Sequence, residues 1–502
     1  MNFNSVNYMI FLPVVAGLYF AVPQKYKNLW LLAVSYYFYY CNEARFFLLL
    51  PAMTLITYGF GLAVDKREGK KRDWLFICGL FANLGVLIFF KYNRFFLGRI
   101  SALTGAQIDR SWWLLPMGIS FYIFMAASYI IDIYLKKYHA EKDVVKFAAY
   151  ITFFPHILMG PIDRANKFIP QLDKEHKFEY ERVRKALQLM AIGFFKKIAV
   201  ADVLAMFINQ VHSDLYSYTG IILVFVAFMY SYQLYADFSG YCDIARGSAM
   251  IMGFDITENF NVPYLSTSFS QFWSRWHISL SSWFQDYIFT PFVWTNPVKK
   301  LPLIGRFFEK PPVLMAVALV FITSGIWHGN TWNFVIWGLC HAVYRMGEEI
   351  MRRRKKPNKH PKPLEFWSKV VWVFSLVTFS QIFFRCKDIP ASLYYIANMF
   401  GDFSLSTFGR GVYNAVKSGF DATPMLIYAY IAYNILTLAI LMFMDWYRHF
   451  RLKGKCLTNG LDRQKPAVRW LCYYVMIGLI MAGFIMNNGG FGASASFIYN
   501  NF

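Results

Sequence analysis

Histidine is the side chain in this sequence best suited to acid–base chemistry, and four histidines lie in apolar sequence. His328 ends the run LMAVALVFITSGIWHG and His277 lies in SRWHISLSSW, while the other two are His156 and His341. A neutral imidazole can take a proton from a hydroxyl nucleophile. We therefore interpret His328 as a candidate base, with a structural histidine bonded to a carbonyl group as the alternative.

His277 is a second candidate because it lies beside Arg275 and, in a helix, on the same face as Ser274 and Ser281. Three roles are open for it: polarising an acyl carbonyl group, binding the acyl donor, or holding a helix to its neighbour. His341, in WGLCHAVYR, is interpreted as a residue that packs within or lines a span.

Common catalytic and metal-binding motifs are missing from the sequence. No G-x-S-x-G elbow, Walker loop or H-E-x-x-H pair occurs, which excludes the common serine hydrolases, P-loop NTPases and zincins. The seven cysteines show neither C-x-x-C nor Cys/His metal spacing, so no metal site is expected. Acyl transfer by a lone base is compatible with these absences.

The elements that must position these residues are apolar helices. The chain has 502 residues, of which 57% are hydrophobic and 16% charged, whereas about a quarter are charged in soluble domains. Crossing a bilayer takes about 20 apolar residues, so we predict an all-α polytopic membrane protein with about 11 crossings plus re-entrant pieces. The apolar runs lie near 8–22, 28–41, 46–64, 74–91, 113–134, 144–160, 186–208, 218–236, 313–327, 331–346, 367–385, 425–446 and 468–486.

The net charge of +22 is explained by short basic loops between the spans, at 65–72, 351–363 and 448–469. Lys and Arg hold such loops on the cytoplasmic side of a membrane. Counting spans from these loops places both termini outside the cytoplasm. A nucleic-acid-binding protein would show a basic face on a soluble fold, so nucleic acid is not expected as a partner.

The stretch 237–300 is too polar for lipid and too aromatic for an ordinary loop. Between Ser268 and Phe289, aromatic and apolar residues recur every three or four positions, which predicts an amphipathic helix lying along or within the membrane. Irregular polar backbone at membrane depth is tolerated only around a cavity or within protein. We therefore expect a buried polar chamber.

Two of these segments, FWSRWHISLSSWFQDYIF and SGIWHGNTWNFVIWGLCH, resemble the signature of the membrane-bound O-acyltransferase family. The resemblance is to its bacterial branch, which O-acetylates alginate and peptidoglycan and D-alanylates teichoic acid. Further matching pieces are LPMGISFYIF at 115–124, FFPHILMGPIDR at 153–164, GFFKKIAVAD at 193–202, SYQLYADFSGYCDIA at 231–245 and QIFFRCKDIPAS at 381–392.

The resemblance implies a fold in which re-entrant and horizontal helices surround a central tunnel. It implies that His328 is the catalytic histidine and that His277 is the second polar position. One departure is Gln285, which stands before Asp286 where the family usually has arginine. The residues expected to support the tunnel and its motifs are Trp327, Gly329, Arg275, Trp276, Asp286 and Asp237.

The segment 487–502 is rich in glycine and small residues, which is typical of a flexible tether, and carries an F-x-Y-x-x-F motif of Phe497, Tyr499 and Phe502. This motif resembles one found in the same branch, where the tyrosine is proposed to carry the acyl group. The alternative is a tail that docks through its aromatic side chains.

From the sequence and the resemblance we divide the chain into N-terminal transmembrane helices at 1–110, a catalytic core at 111–392, C-terminal transmembrane helices at 393–486 and an extracytoplasmic tail at 487–502. The resemblance implies an O-acetyltransferase of the bacterial plasma membrane, with acetyl-CoA or another acyl thioester as donor and no bound cofactor. An extracytoplasmic SGNH-type acetyltransferase or esterase is the expected partner, besides membrane lipid. The alternatives are D-alanyl transfer to teichoic acid, and a transporter or flippase of an acylated intermediate.

Overall fold

In the computed structural model, regular structure is helical throughout the described part of the chain. The β pairing seen there is an isolated antiparallel bridge between Phe260 and Trp276. The predicted all-α class is therefore confirmed. The structure describes residues 1–105, 114–297, 312–354, 362–420 and 423–488.

The α-helices have the following bounds in chain order: α1 Val6–Ala21, α2 Gln24–Asn42, α3 Leu49–Asp65, α4 Gly69–Thr104, α5 Ile119–Tyr134, α6 Val144–Thr152, α7 Ala165–Leu172, α8 Tyr180–Phe194, α9 Val203–Ser213, α10 Ile221–Met252, α11 Phe269–Trp273, α12 Ile278–Phe284, α13 Thr290–Thr295, α14 Val313–His328, α15 Trp332–Arg354, α16 Pro363–Arg385, α17 Ile389–Asn398, α18 Leu405–Phe420, α19 Pro424–Phe450, α20 Leu457–Asp462 and α21 Pro466–Asn488. Wider π-helical turns span Phe195–Asp202 and Gln285–Phe289, and 3₁₀ turns span Leu215–Ser217 and Pro263–Leu265.

The chain forms two compact units. The first comprises Met1–Met190 with Tyr241–Glu258, and the second comprises Ala191–Gly240 with the chain from Asn259 onward. In the first unit, α3 packs against α4 and α5, and α2 packs against α6. In the second, α14 and α15 form a helical hairpin and α16 packs on α15. The histidines proposed for chemistry, His277 and His328, both belong to the second unit.

Five helices of the described chain are long and apolar enough to cross a membrane, and shorter apolar helices such as Val313–His328 accompany them. The apolar stretch of α21 is only 11% buried, and Leu471, Tyr474 and Ile485 are among its exposed side chains. An apolar surface of this size needs lipid or protein to cover it. The chain is a multi-pass membrane protein, while the figure of about 11 crossings stays a prediction.

α10 extends well beyond the span predicted to end at residue 236. It continues to Met252 through the polar sequence DFSGYCDIARGSAMIM, so the predicted end of this span is wrong. Within this polar part, a glycine lets the backbone of α8 approach closely. At Gly240, a Cβ atom would lie 2.8 Å from the carbonyl oxygen of Gly193.

The single amphipathic helix predicted from Ser268 to Phe289 is also wrong, because the chain breaks at His277. His277 has a left-handed backbone with φ of 44°, which separates α11 from α12. Backbone pairing with residues 259–261 causes the break. The Ile278 N–H donates to the Asn259 carbonyl oxygen at 3.0 Å, and the Asn261 N–H donates to the Arg275 carbonyl oxygen at 3.0 Å.

A buried ion triad lies on the π-helical turn Phe195–Asp202. The Lys197 Nζ is 2.7 Å from Asp202 Oδ1 and 2.6 Å from Asp237 Oδ1, and all three side chains are at most 3% exposed. Asp237, predicted from sequence to support the site, therefore lies opposite a lysine in the interior of the second unit.

Candidate active site

The hairpin of α14 and α15 is close-packed through two glycines. They are Gly325 of α14 and Gly338 of α15, and a Cβ atom added to either would lie 3.4 Å from the Cα atom of the other. An added Cβ would also collide with a backbone carbonyl oxygen, that of Phe334 at Gly325 and that of Phe321 at Gly338. Small residues at helix crossings in membranes allow this approach. The crossing brings His328, at the carboxyl end of α14, against Trp337 of α15.

We expect Gly338→Ala to destabilise the folded protein, because its methyl group would have to push the α14 backbone away. Overpacking of this kind costs about 1–3 kcal/mol. The matched control is Gly347→Ala on the same helix, where the added methyl group meets no atom within 4 Å. Thermal unfolding of the detergent-solubilised chain should show a lower Tm for Gly338→Ala than for Gly347→Ala, and equal Tm values would contradict the packing argument.

The His328 imidazole is enclosed by three aromatic rings. Its centroid lies 4.7 Å from Trp327, 4.8 Å from Trp337 and 5.1 Å from Phe384, each in an edge-to-face arrangement. The residue is only 5% exposed. Aromatic walls of this kind fix the orientation of the ring and keep bulk water from it.

Gly329 makes room for one of these walls. A Cβ atom at this position would overlap the ring of Phe334, which packs on Phe384 at 5.1 Å. Trp327 and Gly329 were both predicted to support the site. Trp327 contacts the His328 ring, and Gly329 packs against Phe334, which in turn packs on Phe384.

His328 faces an internal cavity of about 20 Å³, which it shares with His341 of α15 and Gln381 of α16. A cavity of this size accommodates about one water-sized group. The remaining walls are apolar or aromatic and comprise Leu234, Phe272, Trp273, Trp276, Trp337, Val377 and Phe384.

A second cavity, of about 430 Å³, shares Trp273 with the first as a lining residue. Its polar lining comes chiefly from hydroxyl groups, together with Arg345 and Gln285. The hydroxyl groups belong to Ser270, Ser274, Ser281, Ser282 and Ser324. Apolar side chains make up the rest of the lining, and the buried polar chamber expected from the sequence stays a prediction.

His277 is buried but is not among the residues that line either cavity. Its ring packs against Phe238 with centroids 4.7 Å apart. The preceding residue, Trp276, does line the smaller cavity and stacks on Phe272. The structure therefore puts Trp276 on the wall of the cavity that His328 lines, whereas His277 does not line it.

The other residues predicted to support the site are spread around its periphery. The Arg275 guanidinium donates to the carbonyl oxygens of Val262 at 3.4 Å and Leu265 at 3.3 Å, so it fastens the 3₁₀ turn. Asp286 is exposed and lines neither cavity. The tail residues Phe497, Tyr499 and Phe502 lie outside the described residues.

Two polar residues of the smaller cavity were not predicted to take part in the chemistry. The sequence predicts a packing or span-lining role for His341, and Gln381 begins the segment QIFFRCKDIPAS without a predicted role of its own. The sequence signal for both residues is that they lie in segments that resemble the family signature. His156, in contrast, is structural: its Nε2–H donates to the Tyr150 carbonyl oxygen at 2.8 Å.

No metal centre is indicated, since the described ranges contain no group of three or more His, Cys, Asp or Glu residues arranged to hold an ion. The cavity that His328 lines offers imidazole, amide and indole groups, which suit hydrogen bonding to an uncharged group. The arrangement can orient a hydroxyl group beside a buried base.

Comparison with known proteins identifies the family of the chain. Residues 135–386 match the model of MBOAT, the membrane-bound O-acyltransferase family. The chain is 34% identical to the probable alginate O-acetylase AlgI of Azotobacter vinelandii, over 86% of this chain and 83% of that protein. It is 30% identical to the peptidoglycan O-acetyltransferase of Helicobacter pylori (78% of each chain) and 27% identical to the teichoic acid D-alanyltransferase of Streptococcus thermophilus (63% of this chain, 76% of that protein). The chain belongs to the membrane-bound O-acyltransferase family and is an acyltransferase, as its motifs predicted.

Proposed function

We propose that this protein moves an acetyl group from a cytosolic thioester, acetyl-CoA, across the bacterial plasma membrane for O-acetylation of an extracytoplasmic polysaccharide. The observation that carries the proposal is the placement of His328, within the SGIWHG motif, on the wall of an internal cavity. Two of the relatives are named for O-acetylation, of alginate and of peptidoglycan. Both polymers present hydroxyl groups to an acetyl donor.

The proposed chemistry uses His328 as a general base. Its imidazole takes the proton of a hydroxyl group while the hydroxyl oxygen attacks the thioester carbonyl carbon. The carbon–sulfur bond then breaks, the imidazolium returns the proton to the departing thiolate, and the products are an oxygen ester and a free thiol. His277 helps indirectly, because the turn at which it lies brings Trp276 to the cavity wall.

The larger cavity is the proposed space for the thioester end of the donor. Its serine hydroxyls and Arg345 offer hydrogen bonds to amide and carbonyl groups, and its apolar walls suit an alkyl chain. Trp273 then separates the donor from His328, so the acyl group reaches the base past this indole ring.

We further propose that the acetyl group leaves on Tyr499, in the F-x-Y-x-x-F motif, and passes to a separate extracytoplasmic acetyltransferase of SGNH type. Support comes from the motif itself and from the loop charges, which favour an extracytoplasmic position for 487–502. A tyrosine hydroxyl is a weak nucleophile at neutral pH and needs a base such as His328.

Tyr499→Phe is expected to abolish polymer acetylation in membranes while leaving the protein folded, because phenylalanine has no hydroxyl group to carry the ester. Intact-mass analysis of the terminal peptide, after incubation with acetyl-CoA, should show one added acetyl group on the unmodified chain and none on the variant. Tyr474→Phe, at an exposed position of α21, is the matched control. Normal polymer acetylation by Tyr499→Phe would reject the carrier role.

The rival functions separate by the product formed. A transporter or flippase would move an acylated molecule without breaking its thioester, whereas the proposed enzyme releases CoA thiol. The chain should be purified, placed in liposomes and supplied with acetyl-CoA or with a D-alanyl thioester. Thiol release and an acetyl ester support the proposal, D-alanyl transfer alone would favour the activity named for the Streptococcus relative, and intact donor on the far side would indicate transport.

A further inference from the structure

The protonation pattern of His341 follows from its hydrogen bond to Ser380. The Ser380 hydroxyl donates its proton to the Val377 carbonyl oxygen at 2.7 Å, and its oxygen lies 3.0 Å from His341 Nε2. A hydroxyl group has one proton to give, so Ser380 accepts from His341. His341 therefore carries its proton on Nε2, and Nδ1 is left as an acceptor.

The same reasoning fixes the amide of Gln381. The Tyr264 hydroxyl donates to the Ser231 carbonyl oxygen at 2.7 Å, so its oxygen accepts from Gln381 Nε2 at 3.4 Å. The nitrogen of the Gln381 side-chain amide therefore faces Tyr264. The amide oxygen, Oε1, is then a second acceptor.

Three buried polar atoms of cavity-lining residues thus have no hydrogen-bond partner in the part of the chain that the structure describes: His341 Nδ1, Gln381 Oε1 and the indole Nε1 of Trp273. Two are acceptors and one is a donor. Burying polar atoms without partners costs free energy, so such a cluster calls for a group that satisfies it. The chemistry required is a small group that both accepts and donates a hydrogen bond.

We propose that the cavity shared by His328 and His341 is a binding site for a single hydroxyl group, that of water or of the alcohol that accepts the acyl group. The volume of about 20 Å³ admits one such group. Its oxygen accepts from the Trp273 indole N–H, and in the resting site its proton is held by His341 Nδ1 or Gln381 Oε1. When the hydroxyl oxygen attacks the thioester, this proton passes to His328. This inference rests on the proposed function and assigns recognition of the acceptor to residues other than His277.

The site can be tested without reference to activity by a high-resolution cryo-EM map of the full chain in lipid. One ordered water is expected within about 3 Å of both His341 Nδ1 and Trp273 Nε1. The same feature should disappear in His341→Phe, which fills the ring space but offers no acceptor. A cavity without ordered density in the unmodified protein would overturn the proposal.

A pair of substitutions separates recognition of the hydroxyl group from a structural role of His341. His341→Gln places an amide N–H near Ser380 but offers no acceptor in the place of Nδ1, whereas His341→Asn places its amide oxygen there. With methanol as the acceptor, we expect the acceptor KM to rise about tenfold in His341→Gln and less in His341→Asn, as for one lost hydrogen bond. The KM for acetyl-CoA should stay unchanged in both.

An unchanged acceptor KM in His341→Gln, or a parallel rise in the donor KM, would contradict the hydroxyl site. Failure of the unmodified chain to release any thiol from acetyl-CoA would instead contradict the proposed function. In that case the cryo-EM map still decides whether the cavity binds a hydroxyl group.

Discussion

Lys197→Met is expected to destabilise the protein severely, by about 3–5 kcal/mol, because it leaves Asp202 and Asp237 buried without the ammonium between them. Asp237→Asn should cost less, since Asp202 still faces Lys197. The measurement is the yield of folded protein on size exclusion after detergent extraction, together with its Tm. A methionine variant as stable as the unmodified chain would show that the triad does not support the second unit.

Lys369→Met is the matched control for this substitution. Lys369 pairs with Glu365 one turn away at 2.6 Å, and both side chains are about 40% exposed. Exposed pairs of this kind contribute about 0–1 kcal/mol, so the control should fold and unfold like the unmodified protein. The contrast between the two lysines isolates the effect of burial from the loss of one positive charge.

The membrane helices were predictable where apolar runs are long and end at a clear signal. The run predicted to end at residue 327 corresponds to α14, Val313–His328, and the run 367–385 corresponds to the later part of α16. Length and hydropathy are enough to predict these helices, because the lipid interior offers no hydrogen-bond partners. An apolar segment that crosses it must therefore form a helix, in which the backbone groups hydrogen-bond to one another. The family resemblance is confirmed separately, by the match of residues 135–386 to the family model.

The amphipathic elements were not predictable in the same way. α18, Leu405–Phe420, lies between the predicted apolar runs 367–385 and 425–446, yet it packs on α9 and α19. Likewise, the apolar periodicity from Ser268 to Phe289 is real, but pairing with residues 259–261 breaks the helix at His277. In both cases, contacts with segments distant in the sequence determine the structure. A local sequence pattern carries no information about such contacts.

At the candidate site, sequence reasoning identified His328 and Trp276 but assigned no chemical role to His341 or Gln381, which share their cavity. His341 lies 13 positions along the chain, and only the crossing of α14 and α15 at Gly325 and Gly338 brings the two imidazoles together. Gln381 arrives on α16, from a third helix. Spacing along the sequence offers no indication of this convergence, which depends on tertiary packing.

His328→Ala is expected to lower acyl transfer by about 10²- to 10⁴-fold, the usual contribution of a positioned general base. The fold should persist, because His328 is the last residue of α14. The substitution removes the aromatic contacts of its ring but leaves the rest of the helix in place. His139→Ala, at an exposed histidine of the first unit, is the matched control and should transfer normally. The size-exclusion profile and Tm establish that the compared proteins are equally folded.

The rate of CoA thiol release tests the central claim most directly. It should be measured for the unmodified chain, His139→Ala and His328→Ala, each purified at full length, matched for folded protein and placed in the same lipid. The account predicts near-equal rates for the first two and a loss of about 10²-fold or more for His328→Ala. Thiol release by His328→Ala at the unmodified rate would contradict it.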